Sequence, residues 1–347
     1  MNMLLGEKEK YKFLLGDCLS VMKGFPDGSV NCIITSPPYW GMRFYDNEKD
    51  SNEVGNEPDF KQYVEKLTTI FVEAKRILRT DGSLWLNIGD KYNNKALMGM
   101  PWRVALSLID TGWILRNDVI WNQLKGTQSC KDRLRDSYEH IFHFVKSRKY
   151  YYDADSIRVK PVKKPSVVEG VVRSSTGVSG TKYRKLINDS DSLSHEEKLS
   201  ALKALDDALE SVRKGDLNDF RMTIRGVQRA WHSNDIRVSG RAKELETKGF
   251  YVMKIGSKGC LPTDIWNIVP EDTWRKDSHC AVFPEELLRT PILATCPVGG
   301  IVLDPFNGTG STVAAALKLG RRGIGIDLSK EYLDVSTERI SKIGLLL

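Results

Sequence analysis

Two kinds of segment alternate along this chain, and the alternation limits its fold more than any other feature. Short apolar runs such as YKFLLGDC (11–18), VNCIIT (30–35), SLWLNIGD (83–90) and WILRNDVIWN (113–122) read as strands. Amphipathic stretches lie between them. Phe60, Val64, Leu67, Phe71, Ala74 and Leu78 recur at helical spacing, with Pro58 and Asp59 as start signals and Asp81-Gly82 as the stop. PWRVALSLIDTG (101–112) reads as another helix, with proline in its first turn. The pattern predicts an α/β fold: a mainly parallel sheet covered by helices, with YEHIFHFVKS (138–147) as a strand at its antiparallel edge.

Between about 157 and 260 the alternation fails. IRVKPVKKPSVVEGVVRSSTGVSGTKYRK has no helical period and is rich in Lys, Arg, Ser, Gly and Val. SHEEKLSALKALDDALESVRKG then opens with a capping box, Ser194 to Glu197, carries Leu202, Leu205, Leu209 and Val212 on one face, and ends at Gly215. A polar stretch after it supplies Arg221, Arg225, Arg229, Arg237 and Arg241. From Leu287 the strand–helix pattern returns. The chain therefore divides into two halves of one domain, 1–156 and 261–347, around an insertion at 157–260.

Composition excludes several classes. No apolar run in the 347 residues approaches the roughly 20 needed to cross a bilayer, and MNMLLGEKEKYK has no signal-peptide core, so the chain reads as cytoplasmic. The six cysteines contain no CxxC pair, which indicates neither a disulfide frame nor a zinc site. A net charge of +7 suits a polyanionic partner.

In VLDPFNGTGSTVAAALKLG the strand 301–303 runs through Asp304 into a turn with Gly308 and Gly310, and a helix starts near Ser311 or Thr312. Glycines suit a turn where backbone must take positive φ or pass close to a ligand, and the carboxyl end of a parallel strand is where open α/β sheets bind ligands. Asp327 ends the next strand, RGIGIDL, where a carboxylate suits ribose hydroxyls. The features point to a nucleoside site. A dinucleotide site would prefer Gly-x-Gly-x-x-Gly, and the third glycine is missing.

NCIITSPPYWGMRF (31–44) poses a different question. Pro37 and Pro38 cannot donate backbone hydrogen bonds, so the strand stops at Ser36 and the chain turns rigidly, carrying Ser36, Tyr39 and Trp40 at its tip.

Together these segments resemble the DNA amino-methyltransferases. DPFNGTG is similar to their S-adenosyl-L-methionine loop, TSPPY to their catalytic tetrapeptide with its preceding residue, and GDC (16–18) to their acidic motif; the order resembles the permuted beta group. DGSLWLNIGD, KDRLRDSYEHIFHFVKSRKYYYD and HCAVFPEELLRTPI add to the likeness, which spans roughly 11–155 and 260–340. It implies a Rossmann-like methyltransferase fold in which S-adenosyl-L-methionine is held by Asp17, Cys18, Thr35, Phe283, Asp304, Phe306, Asn307, Gly308, Thr309, Gly310, Ser311, Thr312, Asp327 and Leu328.

Its chemistry would be transfer of a methyl group to an exocyclic amine of double-stranded DNA. Ser36 and the Pro37 carbonyl would hold the amine's protons, Pro38 would stiffen the turn, and Tyr39 would stack on a flipped base. Enzymes that methylate cytosine at C5 use a Pro-Cys nucleophile, and the chain contains no Pro-Cys. Within the family, serine before Pro-Pro usually accompanies cytosine N4, whereas Asp or Asn accompanies adenine N6. Cytosine N4 is the expected target, adenine N6 the alternative, and a silent DNA-binding protein a more distant one; glycine spacing disfavours a nicotinamide dehydrogenase.

The family places its target-recognition region where the insertion lies. Between 157 and 185 eight basic residues face the single acid Glu169. Lys163, Lys164, Arg173 and Arg184, with Arg133 from the segment before it, are the expected DNA contacts. A cognate restriction endonuclease in the same system, and a monomeric or homodimeric state, complete the expectations.

Overall fold

A computed structural model describes residues 4–41, 53–124, 130–159, 164–169, 171–227, 240–270 and 283–344. These fall into two compact units, one of 1–157 with 263–347 and the other of 158–262.

The first unit begins with β1 (Tyr11–Leu15), α1 (Cys18–Lys23), β2 (Val30–Thr35), α2 (Phe60–Ile77) and β3 (Leu78–Ile88). A two-residue pair follows, β4 (Tyr92–Asn93) with β5 (Ala96–Leu97), then α3 (Met100–Asp110), β6 (Ile114–Asn122) and β7 (Tyr138–Val145). The second unit holds β8 (Ser166–Val168), β9 (Val171–Arg173), α4 (Thr181–Asn188), α5 (His195–Lys214), β10 (Leu217–Ile224), α6 (Gly240–Lys248) and β11 (Phe250–Gly256). The first unit resumes with β12 (Ile265–Asn267), α7 (Glu285–Thr295), β13 (Ile301–Asp304), α8 (Ser311–Lys318), β14 (Arg322–Asp327) and α9 (Lys330–Gly344).

Its main sheet runs β1-β14-β13-β2-β3-β7-β6-β12. The first five strands are parallel, and β7 is antiparallel to both neighbours. The sequence put β7 at the antiparallel edge; β6 and β12 continue the sheet beyond it. Ile141, Phe142, His143, Phe144 and Val145 are all buried, and such a strand needs neighbours on both sides as well as cover on both faces.

Alternation along β3 assigns the faces. Leu84, Leu86 and Ile88 pack with Met22, Leu67, Phe71, Val104 and Leu108 of α1, α2 and α3, while Trp85 packs with Leu288 and Ile292 of α7 and with Ala315 and Ala316 of α8. Each large side chain so buried contributes about 1.5–3 kcal/mol. α2 starts where its sequence signals lie, because the Asp59 carboxylate caps the Lys61 and Gln62 amides. It stops at Ile77, before Asp81-Gly82, which are taken into β3 instead. No helix among the described residues is long and apolar enough to cross a membrane.

In the second unit α5 carries the anticipated capping box and ends in a left-handed Gly215. Its Ala201, Leu205, Ala208 and Val212 pack on Phe220, Met222 and Ile224 of the β10–β11 ladder. The stretch read as merely polar thus contains a strand. Apolar Phe220, Met222 and Ile224 alternate with Asp219, Arg221 and Thr223, so the period of two is there among the arginines. α4 was also not expected: it buries only Ile187 and has Leu186 beside it, too short an apolar stripe to show a helical period.

Candidate active site

Parallel strands deliver their carboxyl ends to one edge of the sheet. Across that edge β1, β14, β13 and β2 lie side by side, so Asp17, Asp327, Asp304 and Thr35-Ser36 stand in a row, about 4.8 Å apart per strand. The sequence segments carrying them are nearly 300 residues apart, and only the strand order brings them together.

The glycine-rich turn is built from within. Gly308 and Gly310 have φ of 51° and 79°, the left-handed region that favours glycine. The Gly308 amide donates to Asp327 Oδ2 at 2.7 Å, tying the turn to the end of β14, and Ser329 N donates to Oδ1 at 2.9 Å. Burial pushes the Asp327 carboxyl upward. Asn307 is buried and gives its amide hydrogens to Ser336 Oγ and the Gly308 carbonyl, at 2.9 and 3.0 Å. It lies over Gly325, where a Cβ would run into its amide. From α9, the buried Arg339 joins Ser311 Oγ at 3.1 Å to Glu285 at 2.8 Å.

Asp304 is 3% exposed and receives three hydrogen bonds, from Thr35 Oγ1, Thr312 Oγ1 and the Phe306 amide. Burial still outweighs these donors and pushes its carboxyl up to about 6. Asp17 caps α1 through the Ser20 amide, and Cys18 is buried behind it. Phe283 and Phe306 are half-buried, packing on opposite faces of the sheet, while Leu328 is 54% exposed. The set fits a nucleoside-bearing cofactor: a left-handed glycine turn and, beside it, a strand-end carboxylate whose remaining lone pairs can accept from hydroxyls.

At the tip of β2, Pro37 is buried, and Tyr63 of α2 donates to the Pro38 carbonyl at 3.0 Å, fixing the turn. Tyr39 lies against Gly89, where a Cβ would stand 2.7 Å from its ring. Its hydroxyl donates to Glu139 Oε2 at 2.5 Å. Burial, with the Glu139 charge, raises the phenol well above its ordinary value, so it stays protonated. Asn87 Nδ2 has two hydrogens for three acceptors, Glu139 Oε2, Tyr39 OH and Ser36 Oγ at 2.8, 2.9 and 3.2 Å, so Tyr39 and Ser36 share the one not given to Glu139, while Gln123 donates to Glu139 Oε1 at 2.8 Å. The carboxylate fixes the sense of the Asn87 amide, because a flipped oxygen would face another acceptor.

Sequence reasoning assigned no role to Asn87, Glu139, Gln123, Ser336 or Arg339. Asn87 lies in LNIGD, which carries the family likeness without a function attached, and Glu139 in SYEH, part of the segment that supplies the expected DNA contact Arg133.

In the second unit Lys164 and Arg173 line one pocket with Ser166 and the 174–177 turn. Arg184 of α4 is engaged by Asp206 of α5, and Lys163 lies outside the described residues. In the first unit Arg133 pairs with Asp136 at 2.9 Å and covers the Tyr92 ring at 3.8 Å.

Residues 30–338 match the model of the N6/N4 methyltransferase family, described as DNA methylase. The chain belongs to that family. This DNA methylase is 30% identical over 355 residues to the type II methyltransferase M.Cfr9I of Citrobacter freundii, covering 94% of this chain and 86% of that one. It is 29% identical over 386 residues to M.SfiI of Streptomyces fimbriatus, covering 93% and 89%. Among solved structures, the PvuII DNA methyltransferase, described as cytosine-N4-specific, gives a TM-score of 0.58 at 16% identity, covering 95% of this chain and 86% of that one. A putative DNA modification methylase of Thermus thermophilus, solved in complex with S-adenosyl-L-methionine, gives 0.53 at 19% identity, covering 96% and 95%. At these identities the two structures speak for the fold. It is that of the S-adenosylmethionine-dependent DNA methyltransferases, mixed α/β on a mostly parallel sheet.

Proposed function

We propose that this DNA methylase transfers a methyl group to the exocyclic N4 amine of cytosine in duplex DNA, directly and on a flipped base. S-adenosyl-L-methionine is the methyl donor, held by the Gly308–Gly310 turn and Asp327. It supplies an electrophilic methyl carbon. Everything else falls to the chain's own side chains.

One observation carries the reading. Tyr39 spends its only hydroxyl hydrogen on Glu139, so at the 3.4 Å contact with Ser36 it can only accept. Ser36 therefore donates to Tyr39, shares an Asn87 hydrogen with it, and among the described residues keeps one lone pair unused. An acceptor so oriented can draw a hydrogen of an aromatic NH₂ group and loosen its lone pair from the ring. The Pro37 carbonyl is the second acceptor. Tyr39, held at its hydroxyl and against Gly89, is a fixed platform on which an extrahelical base can stack. Serine before Pro-Pro favours cytosine, as in the family pattern.

Burial keeps the Cys18 and Cys296 thiols protonated, pushed up to about 12, so neither suits a covalent thiol route. The insertion, with its basic surface, reads the target sequence, and a restriction endonuclease of the same specificity is the expected companion.

The test is incubation of the protein with duplex DNA and labelled S-adenosyl-L-methionine, digestion to nucleosides, and mass spectrometry. N4-methylcytosine is expected. N6-methyladenine would overturn the base assignment and leave the cofactor reading standing, and no methylated nucleoside would make the chain a silent binder.

A further inference from the structure

At the tip of β2 five polar side chains meet: Ser36 and Tyr39 from the turn, Asn87 from β3, Gln123 after β6 and Glu139 from β7. Glu139 carries the cluster's one formal charge and lies outside the catalytic tetrapeptide. We infer that Glu139 is the terminal proton acceptor of methyl transfer, reached from Ser36 through the hydroxyl of Tyr39.

The inference rests on Ser36 as the partner of the target amine, and proton balance leads from there. As the amine nitrogen forms its bond to the methyl carbon, the carbon–sulfur bond breaks with its electron pair going to sulfur. Nitrogen is left with a positive charge and one hydrogen too many. Ser36 can take that hydrogen only by passing on its own, and its acceptor is Tyr39 OH. Tyr39 in turn donates to Glu139 Oε2. The phenol is too strongly held in its neutral form to ionise, so it receives one proton while releasing another. Glu139 ends neutral, and being half-buried it can return the proton to water. The 3.4 Å Ser36–Tyr39 contact is the long link; such contacts tighten once substrate is bound.

The surroundings suit an anion that must stay in place. Asn87 holds Oε2 and Gln123 holds Oε1, and both are neutral donors. Tyr39 is the titratable group bonded to Glu139 among the described residues. His140, the next residue of β7, points to the opposite face and pairs with Asp118 at 2.8 Å. Glu139 acts through Tyr39 and Ser36, which makes it a positioning residue rather than a catalytic one.

Glu139→Gln separates charge from shape, since the amide oxygen can still accept from Tyr39. The single-turnover rate should fall about 100-fold, while affinities for duplex DNA and S-adenosyl-L-methionine stay within about twofold. Tyr39→Phe should lose a similar factor, and the double variant no more than the larger single loss, because both cut one relay. A readout independent of turnover is the ionisation of Tyr39 followed by NMR of ring-labelled tyrosine, assigned with Tyr39→Phe. In Glu139→Gln it should shift to lower pH. A Glu139→Gln rate within about threefold of wild type, losses that multiply in the double variant, or an unmoved Tyr39 ionisation would each overturn the relay while leaving the methyltransferase reading intact. A wild-type protein that methylates no DNA amine removes both.

Discussion

Asp304 accepts the hydroxyl hydrogen of Thr35 across the boundary between two adjacent strands, at 2.6 Å. Its other oxygen accepts from Thr312 at the start of α8, also at 2.6 Å. One carboxylate thus joins the end of β2, just before Ser36, to the helix that follows the glycine-rich turn.

That carboxylate gives the first prediction. Its folded-state value of about 6 lies above the ordinary 3.8, so the native state binds the extra proton. The group's contribution is fully present below about pH 4 and lost as pH rises through about 6, an upper bound of about 3 kcal/mol. Asp304→Asn has no such proton. The stability of wild type relative to this variant, from urea titrations, should therefore decline between about pH 4 and 7, and a flat difference would contradict the buried-carboxyl account.

Ser36→Ala should lower the methyl-transfer rate by about 10²–10³-fold with duplex affinity retained, as expected for loss of an acceptor that acts at the reacting amine. Rapid-quench kinetics with gel-shift controls measures both. A rate close to wild type would remove Ser36 from the chemistry.

Asp327→Ala should weaken S-adenosyl-L-methionine binding by about tenfold or more, through loss of the proposed ribose acceptor and of the bond that braces Gly308. DNA affinity should change far less. Calorimetry on each ligand separates the two, and equal losses would argue against a ribose role.

Arg339→Met removes the buried guanidinium that joins Ser311 to Glu285 and should cost about 2 kcal/mol, below the roughly 3–5 kcal/mol of a fully buried pair because Glu285 retains some exposure and its ion pair with Lys318. Cofactor affinity should fall with it, since Ser311 opens the helix after the glycine turn. Denaturant titration followed by cofactor titration checks both effects.

Charge reversal at Lys164 and Arg173 tests the insertion. If both meet phosphates, log affinity should fall for all duplex sequences alike and the salt slope should flatten by about 2. A loss confined to one sequence would make them base readers.

Several elements were legible in the sequence because their signals are local. β2 spans Val30–Thr35 as read, since two prolines can end a strand in only one place. α5 runs from its capping box to its left-handed glycine, and Gly308 and Gly310 occupy the conformations that made glycine the suitable residue. The short helix α4 escaped because its apolar residues are few and become a face only when packed against α5, and β10 because its alternation leads straight into a polar, arginine-rich stretch.

By itself, then, the sequence determined the alternating strand and helix order, the rigid tip at Ser36 and the glycine turn at the other end of the chain. These depend on backbone sterics and on spacing within a few residues. Only the tertiary structure decided that Asp304 would meet Thr35, and that Glu139, one hundred residues beyond Tyr39, would take its hydroxyl hydrogen. Those contacts follow from which strands lie next to one another, and β3 and β7 pair through burial of two faces, a choice that no local pattern encodes.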